Sequence, residues 1–463
     1  MPRRMPERLV IIGGDAAGMS AATNARRSRP AADLEIVAFE RSDWVSFSAC
    51  GEPYYVSGDV SPIDALIARS VEEFAKSAIT VHKRHEVTAI DTAARTVTVR
   101  DHLGAREFTV GYDHLVYATG ASARRLPIEG TDLLGIHEMH VLDDALAVRR
   151  LVEQRPRRAV IVGGGFVGVE MAEAFLANGI EATIIAAGDS LLEGAFDPEF
   201  AARITEAVRG LGVRVETGHR VECLNGEVGR VTSVGCGDRA IPADLVVLAA
   251  GTVPNVALAR AAGLRIGESG GVWVDDHLRT SVPGVWAAGD CAETTHRLTG
   301  GPLNLHLGTI ANKQGRIVGL NIGGADEVFP GVLGTAITKC MDLEMARTGL
   351  TEAEARDTGF DAVAVTFEAT TTAGYWPAAR PIWVKAVADR PSRRILGAQI
   401  LGGATAGKRI DALAMAIWNE MTVDALLNVD LSYVPPLSGV WDPVLTAGRV
   451  LQSALGSATT PSQ

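Results

Sequence analysis

Two glycine-rich turns, each between an apolar strand and a helix rich in small and apolar residues, predict an α/β chain with two Rossmann-like dinucleotide-binding domains, one inserted into the other. Beyond about residue 329 the pattern changes to strands alternating with short helices, with no third glycine fingerprint. That change adds a C-terminal α+β domain. The 463 residues accommodate three domains of this kind, and 47% apolar with 21% charged residues is the make-up of a globular protein.

A net charge of -11 argues against a general nucleic-acid binder. The five cysteines, Cys50, Cys223, Cys236, Cys291 and Cys340, show neither a CxxC pair nor metal-ligand spacing, so reduced thiols and a cytoplasmic location are expected. The basic start MPRRMPERLVIIGG is not read as a targeting signal, because Leu9 to Ile12 runs straight into a glycine turn and makes a better first strand. No stretch approaches the roughly 20 apolar residues of a membrane span, so no membrane partner is expected.

Residues 9 to 40 form the first βαβ pattern: the strand LVII, the turn with Gly13, Gly14 and Gly18, a helix, and a strand ending at Glu40. The glycines permit a tight turn, the helix start faces a pyrophosphate, and Glu40 accepts hydrogen bonds from a ribose. Asp15 stands where the GxGxxG pattern has its second glycine. A later segment completes the same site, with Val285 to Ala288 as a strand, Gly289 allowing close approach and Asp290 bonding a ligand hydroxyl. The first domain is therefore interrupted.

The insertion repeats the pattern with Gly163, Gly165 and Gly168 in full GxGxxG spacing. Two fingerprints imply two dinucleotides, which indicates a flavin enzyme reduced by a nicotinamide. Its second strand ends at Ala186, where an NAD-specific domain usually carries an acid, and no arginine follows at once to hold a 2'-phosphate. The balance leans slightly toward NADPH or dual use, with Asp189 acting against a phosphate. Glu170, just inside the helix, reads as a helix-dipole or nicotinamide-side residue.

With these pieces placed, the chain resembles the single-cysteine branch of the flavin and pyridine-nucleotide disulfide oxidoreductases, the coenzyme A-disulfide reductase and NADH oxidase group. The resemblance runs nearly end to end through SFSACGEPYY at Ser46, YATGAS at Tyr117, LAAGTVPN at Leu248, ANKQGR at Ala311, GKRIDALA at Gly407 and LSYVPPLSGVWDP at Leu431. It implies an FAD domain at 1–120 and 250–328, an NAD(P)H domain at 121–249, a dimerisation domain at 329–455 and a disordered tail at 456–463. Arg41, Thr119, Gly120 and Gly251 join the implied cofactor contacts.

The resemblance also implies that Cys50 is the redox centre, receiving two electrons from NADH or NADPH by way of FAD. Dithiol relatives carry a second cysteine five positions on, where this chain has Tyr55. Cys50 would then cycle either through a mixed disulfide with a small thiol or through a sulfenic acid. Asn24, Arg27 and Ser46 match positions that hold coenzyme A in relatives, although Ala49 replaces an asparagine there. For Arg26 and Arg27 a solvated helix face is an equal reading. Glu52 departs from a small or apolar residue; facing inward it would raise the thiol pKa, facing solvent it would do little. A homodimer is implied, in which Tyr375 and Tyr433 reach the partner's cysteine site, with Trp376 and Ala378 departing from the family pattern. His306 lies near the expected flavin-contacting helix and reads first as a packed or surface histidine.

Overall fold

The computed structural model describes residues 5–456. Residues 457–463, nearly all of the expected tail, lie outside the described residues. The chain divides into two units: 1–125, 140–147 and 251–332 in the first, and 126–139, 148–250 and 333–463 in the second.

The first unit is built on a parallel five-stranded sheet in the order Val285–Ala287, His114–Tyr117, Glu7–Ile12, Leu34–Phe39, Ile79–His82. Leu9 to Ile12 are buried on both faces, as a central parallel strand requires. Strand order reverses beside Glu7–Ile12, and the crevice at its carboxyl end is where such sheets bind ligands. The helix Ala16–Ser28 follows directly and buries Ala17, Gly18, Ala21, Ala22 and Ala25. Its small face admits a second helix, Gly308–Ile322, at backbone distance: a Cβ on Gly315 would overlap the Ala17 carbonyl, and one on Gly319 the Ala21 carbonyl. This explains the glycine in ANKQGR, Gly315, and the second one a turn later, Gly319. An antiparallel sheet of His85–Asp91, Thr96–Asp101 and Arg106–Gly111 completes the unit.

The second unit repeats the plan with a parallel sheet ordered Arg214–Glu216, Glu181–Ile185, Arg158–Val162, Leu245–Leu248, Ile136–Glu138. Phe166–Ala177 is its fingerprint helix. The same unit contains an antiparallel sheet ordered Ala336–Cys340, Leu343–Gly349, Ile395–Gly402, Pro381–Asp389, Ala362–Thr370. Within it Lys385, only 2% exposed, is ion-paired to Asp197 at 3.1 Å, Glu352 at 2.8 Å and Glu199. Among the described residues no helix is long and apolar enough to cross a membrane.

Candidate active site

The glycine turn of the first unit needs residues without Cβ. Gly13 has φ +108°, and a Cβ there would overlap the Ala118 carbonyl, while one on Gly18 would overlap the carbonyl of Gly13. Glu40 sits at the strand end and accepts the Gly14 N–H at 2.8 Å and the Ser42 N–H at 2.8 Å. Arg41 beside it is exposed. Asp15 Oδ1 accepts the Phe47 N–H at 2.9 Å, and the Ser46 N–H reaches the Gly14 carbonyl at 2.9 Å. The departure at Asp15 thus ties the turn to the cysteine segment. Burial pushes Asp15 up to about 6, against the Phe47 and Ala16 amides and with Glu40 and Asp290 adding to the rise. Asp290 is likewise raised to about 6 by burial, and the Gly289 N–H before it is held by Gln314 Oε1 at 2.7 Å.

Thr119, Gly120 and Gly251 belong to a connection that one residue missed from sequence, Asn255, holds together. Its carbonyl accepts the Thr119 hydroxyl at 2.9 Å, its side-chain amide donates to the Thr119 carbonyl at 2.8 Å, and its N–H donates to Gly120 at 3.0 Å. Gly120 and Gly251 take φ of +64° and +90°. The only signal in the sequence was its place in LAAGTVPN. His306, read as packed or exposed, is half-buried and bonded to Thr252 Oγ1 and to Asn304 Oδ1, the latter at 2.6 Å. Burial, then His140, holds its pKa below the ordinary value.

Cys50 lies on the single turn Ala49–Gly51 and is exposed, immediately before the short helix Glu52–Ser57. Ser46, at φ +49°, starts the bend that presents it. The other thiols are differently placed. Cys236, Cys291 and Cys340 are buried, and burial pushes Cys291 up to about 11 and Cys340 up to about 12. Glu52 turns inward: it is 3% exposed, its Oε1 has no hydrogen-bond partner, and burial, then Asp144 and Asp15, push its carboxyl up to about 8.

On the helix Ala16–Ser28, Asn24 donates to the Ser20 carbonyl at 2.8 Å and Arg27 is exposed. Arg26 is not solvated as a free face would be; its guanidinium donates to the Leu34 carbonyl at 2.7 Å and the Ala78 carbonyl at 3.0 Å, closing the helix against the sheet.

In the second unit Gly163 has φ +130°, a Cβ there would overlap the Ala249 carbonyl, and Gly168 abuts the carbonyl of Gly163. Gly165 caps the helix. Ala186 is buried and packs its Cβ toward Gly164. Glu170 accepts the Thr338 hydroxyl at 2.8 Å, and burial raises its pKa, with Glu173 adding to the rise. Tyr375 is 76% exposed and Tyr433 48% exposed. Desolvation, then the neighbouring Tyr375 phenol, raises the Tyr433 pKa.

Both turns fit a dinucleotide by the same test: a Cβ on Gly13 or Gly18 in the first, or on Gly163 or Gly168 in the second, would overlap main-chain carbonyls, so each turn keeps the glycines that let a phosphate approach the start of its helix. A family model described as pyridine nucleotide-disulphide oxidoreductase matches residues 7–315, and its dimerisation domain matches residues 335–443. The chain belongs to this family. As a pyridine nucleotide-disulphide oxidoreductase it uses FAD and NAD(P)H. It is 40% identical over 462 residues to an NAD(P)H coenzyme A polysulfide/persulfide reductase of Pyrococcus horikoshii, covering 98% of this chain and 100% of that one. It is 31% identical to an NADH oxidase of Methanocaldococcus jannaschii over 96% of this chain and 98% of that one. The solved structure of an NAD-dependent persulfide reductase from A. fulgidus is similar at a TM-score of 0.92 and 39% identity, over 96% of this chain and 83% of that one.

Proposed function

We propose that the protein reduces coenzyme A disulfide, or a related disulfide or persulfide, with electrons from NAD(P)H, and that Cys50 is its redox centre. The observation that carries this reading is the contrast among the thiols: Cys50 alone is exposed, on a turn pinned to the first glycine fingerprint, while Cys236, Cys291 and Cys340 are buried and burial raises the pKa of each above the ordinary thiol value. Bound FAD would supply the two-electron relay between nicotinamide and sulfur.

Cys50 works as a thiolate. Its sulfur forms a bond to one sulfur of the substrate; the substrate S–S bond breaks and its far sulfur leaves with the electron pair, to be protonated. Two further electrons break the mixed disulfide, releasing the second thiol and restoring the thiolate. Asn24, Arg27 and Ser46 are assigned to the coenzyme A moiety, with Arg27 suited to a phosphate. Tyr433, supported by Tyr375, is assigned to proton delivery from a neighbouring subunit. The chain carries a dimerisation domain, and we read the assembly as a homodimer working in the cytoplasm.

Anaerobic oxidation of NADH and NADPH, with and without coenzyme A disulfide, tests the reading. Turnover should require the disulfide, and Cys50→Ser should lower it by at least about a thousandfold while flavin reduction persists. Turnover that starts only when oxygen enters would favour the oxidase chemistry of the Methanocaldococcus relative.

A further inference from the structure

We infer that Glu193 supplies the carboxylate that the second dinucleotide fold lacks at Ala186, and that it makes NADH the preferred nicotinamide; this rests on reading Gly163 to Gly168 as the NAD(P)H site. The argument comes from the internal repeat. In the first unit a Cβ on Gly14 would lie 2.8 Å from Glu40 Cβ; in the second, one on Gly164 would lie 2.9 Å from Ala186 Cβ. Six residues beyond Glu40, Ser46 at φ +49° donates its N–H to the Gly14 carbonyl at 2.9 Å. Six residues beyond Ala186, Leu192 at φ +55° donates its N–H to the Gly164 carbonyl at 2.8 Å. The two connections therefore run in register, with Glu40 matching Ala186 and Ser46 matching Leu192.

That register shows where a ribose acid belongs. The Glu40 carboxylate rests on the N–H of Ser42, two residues beyond Glu40 itself. The residue matching Ser42 is Gly188, and there the Glu193 carboxylate lies so close that a Cβ on Gly188 would overlap it. An acid thus reaches the equivalent backbone position from the returning arm of the loop, and glycine leaves it the room. A 2'-hydroxyl can donate to that carboxylate, whereas a 2'-phosphate meets a like charge.

The surrounding charges favour the same outcome. Asp189 follows Gly188 directly. Glu216, whose carbonyl accepts the Ala186 N–H at 2.8 Å, is itself ion-paired to Arg214 at 2.7 Å and Arg239 at 2.9 Å, so those cations are engaged. His219 reaches Ala186 through its backbone N–H at 3.2 Å, and Arg220, next in sequence, is exposed. The loop itself contributes two carboxylates, Asp189 and Glu193, and no cation between Ala186 and Glu193.

The test uses the full-length FAD-loaded protein. NAD+ and NADP+ affinities are measured by calorimetry and kcat/KM for NADH and NADPH by flavin reduction, in the wild type, Glu193→Gln and Asp189→Asn. The wild type should favour NAD+ and NADH by about tenfold or more, as expected for a hydrogen bond to a charged group. Glu193→Gln should remove most of that ratio, mainly through KM and affinity, and Asp189→Asn a smaller part. Glu193 is exposed, and an unchanged thermal midpoint would show that the variant is folded. A wild-type preference for NADP+, or a ratio untouched by Glu193→Gln, overturns the role of Glu193 while leaving the reductase reading in place. If neither nucleotide binds or reduces the flavin, both readings fail.

Discussion

Among single residues, Glu52 is the one whose surroundings conflict most with its charge. It is buried, its Oε1 has no hydrogen-bond partner, and Asp144 and Asp15 act on it with the same sign. With a folded pKa of about 8 against 4.5 for an ordinary glutamate, it binds an extra proton in the native state between those values, so raising the pH favours unfolding across that window. Glu52→Gln should therefore be more stable than the wild type, by a margin that grows from about pH 5 to pH 8 toward a few kcal/mol and then levels off. Unfolding midpoints taken between pH 5 and pH 9 would show this, and a margin independent of pH would refute it. The sequence left both orientations of Glu52 open for a physical reason: it starts a helix of only six residues, too short for a periodic face to fix where its first side chain points.

At the level of elements, the fingerprints were legible because glycine positions encode backbone approach directly. The strands flanking Gly13 and Gly163 lie where an apolar run followed by glycine puts them. What pattern alone missed are contacts between residues far apart in the chain. The Lys385 cluster is one: a lysine in a strand reading IWVKAVAD looks like an exposed position, yet it is almost wholly buried among Asp197, Glu199 and Glu352, from segments far away in sequence. Lys385→Met should lower stability by about 3 to 5 kcal/mol, because Asp197 would stay buried without its cation. Denaturant unfolding measures the loss, and a variant as stable as the wild type would show that the carboxylates find other partners. Asn255 is a similar case, a loop residue whose bonds to Thr119 and Gly120 span more than a hundred positions.

For the molecule as a whole, the described C-terminal segment exposes Met415, Tyr433, Val434, Leu437, Val440 and Trp441, large apolar side chains that solvent alone does not favour. We assign this surface to the subunit contact of the proposed homodimer. Leu437→Asp combined with Trp441→Glu should shift the protein from dimer to monomer in light scattering, and should reduce disulfide turnover if Tyr433 has the role in a neighbouring site proposed above. A dimer of unchanged stability would place the contact elsewhere. Such a surface was not legible from composition, because the same residues averaged over 463 positions give an ordinary apolar fraction.

The pairing of Ala16–Ser28 with Gly308–Ile322 bears on how the flavin is acquired. Main chain lies against main chain where Gly315 meets Ala17 and Gly319 meets Ala21, with only the short side chains of Ser20 and Asn24 beside those contacts. The amides at the helix start are then set before any cofactor arrives. A flavin docking onto amides already set in place would have little ordering entropy to overcome.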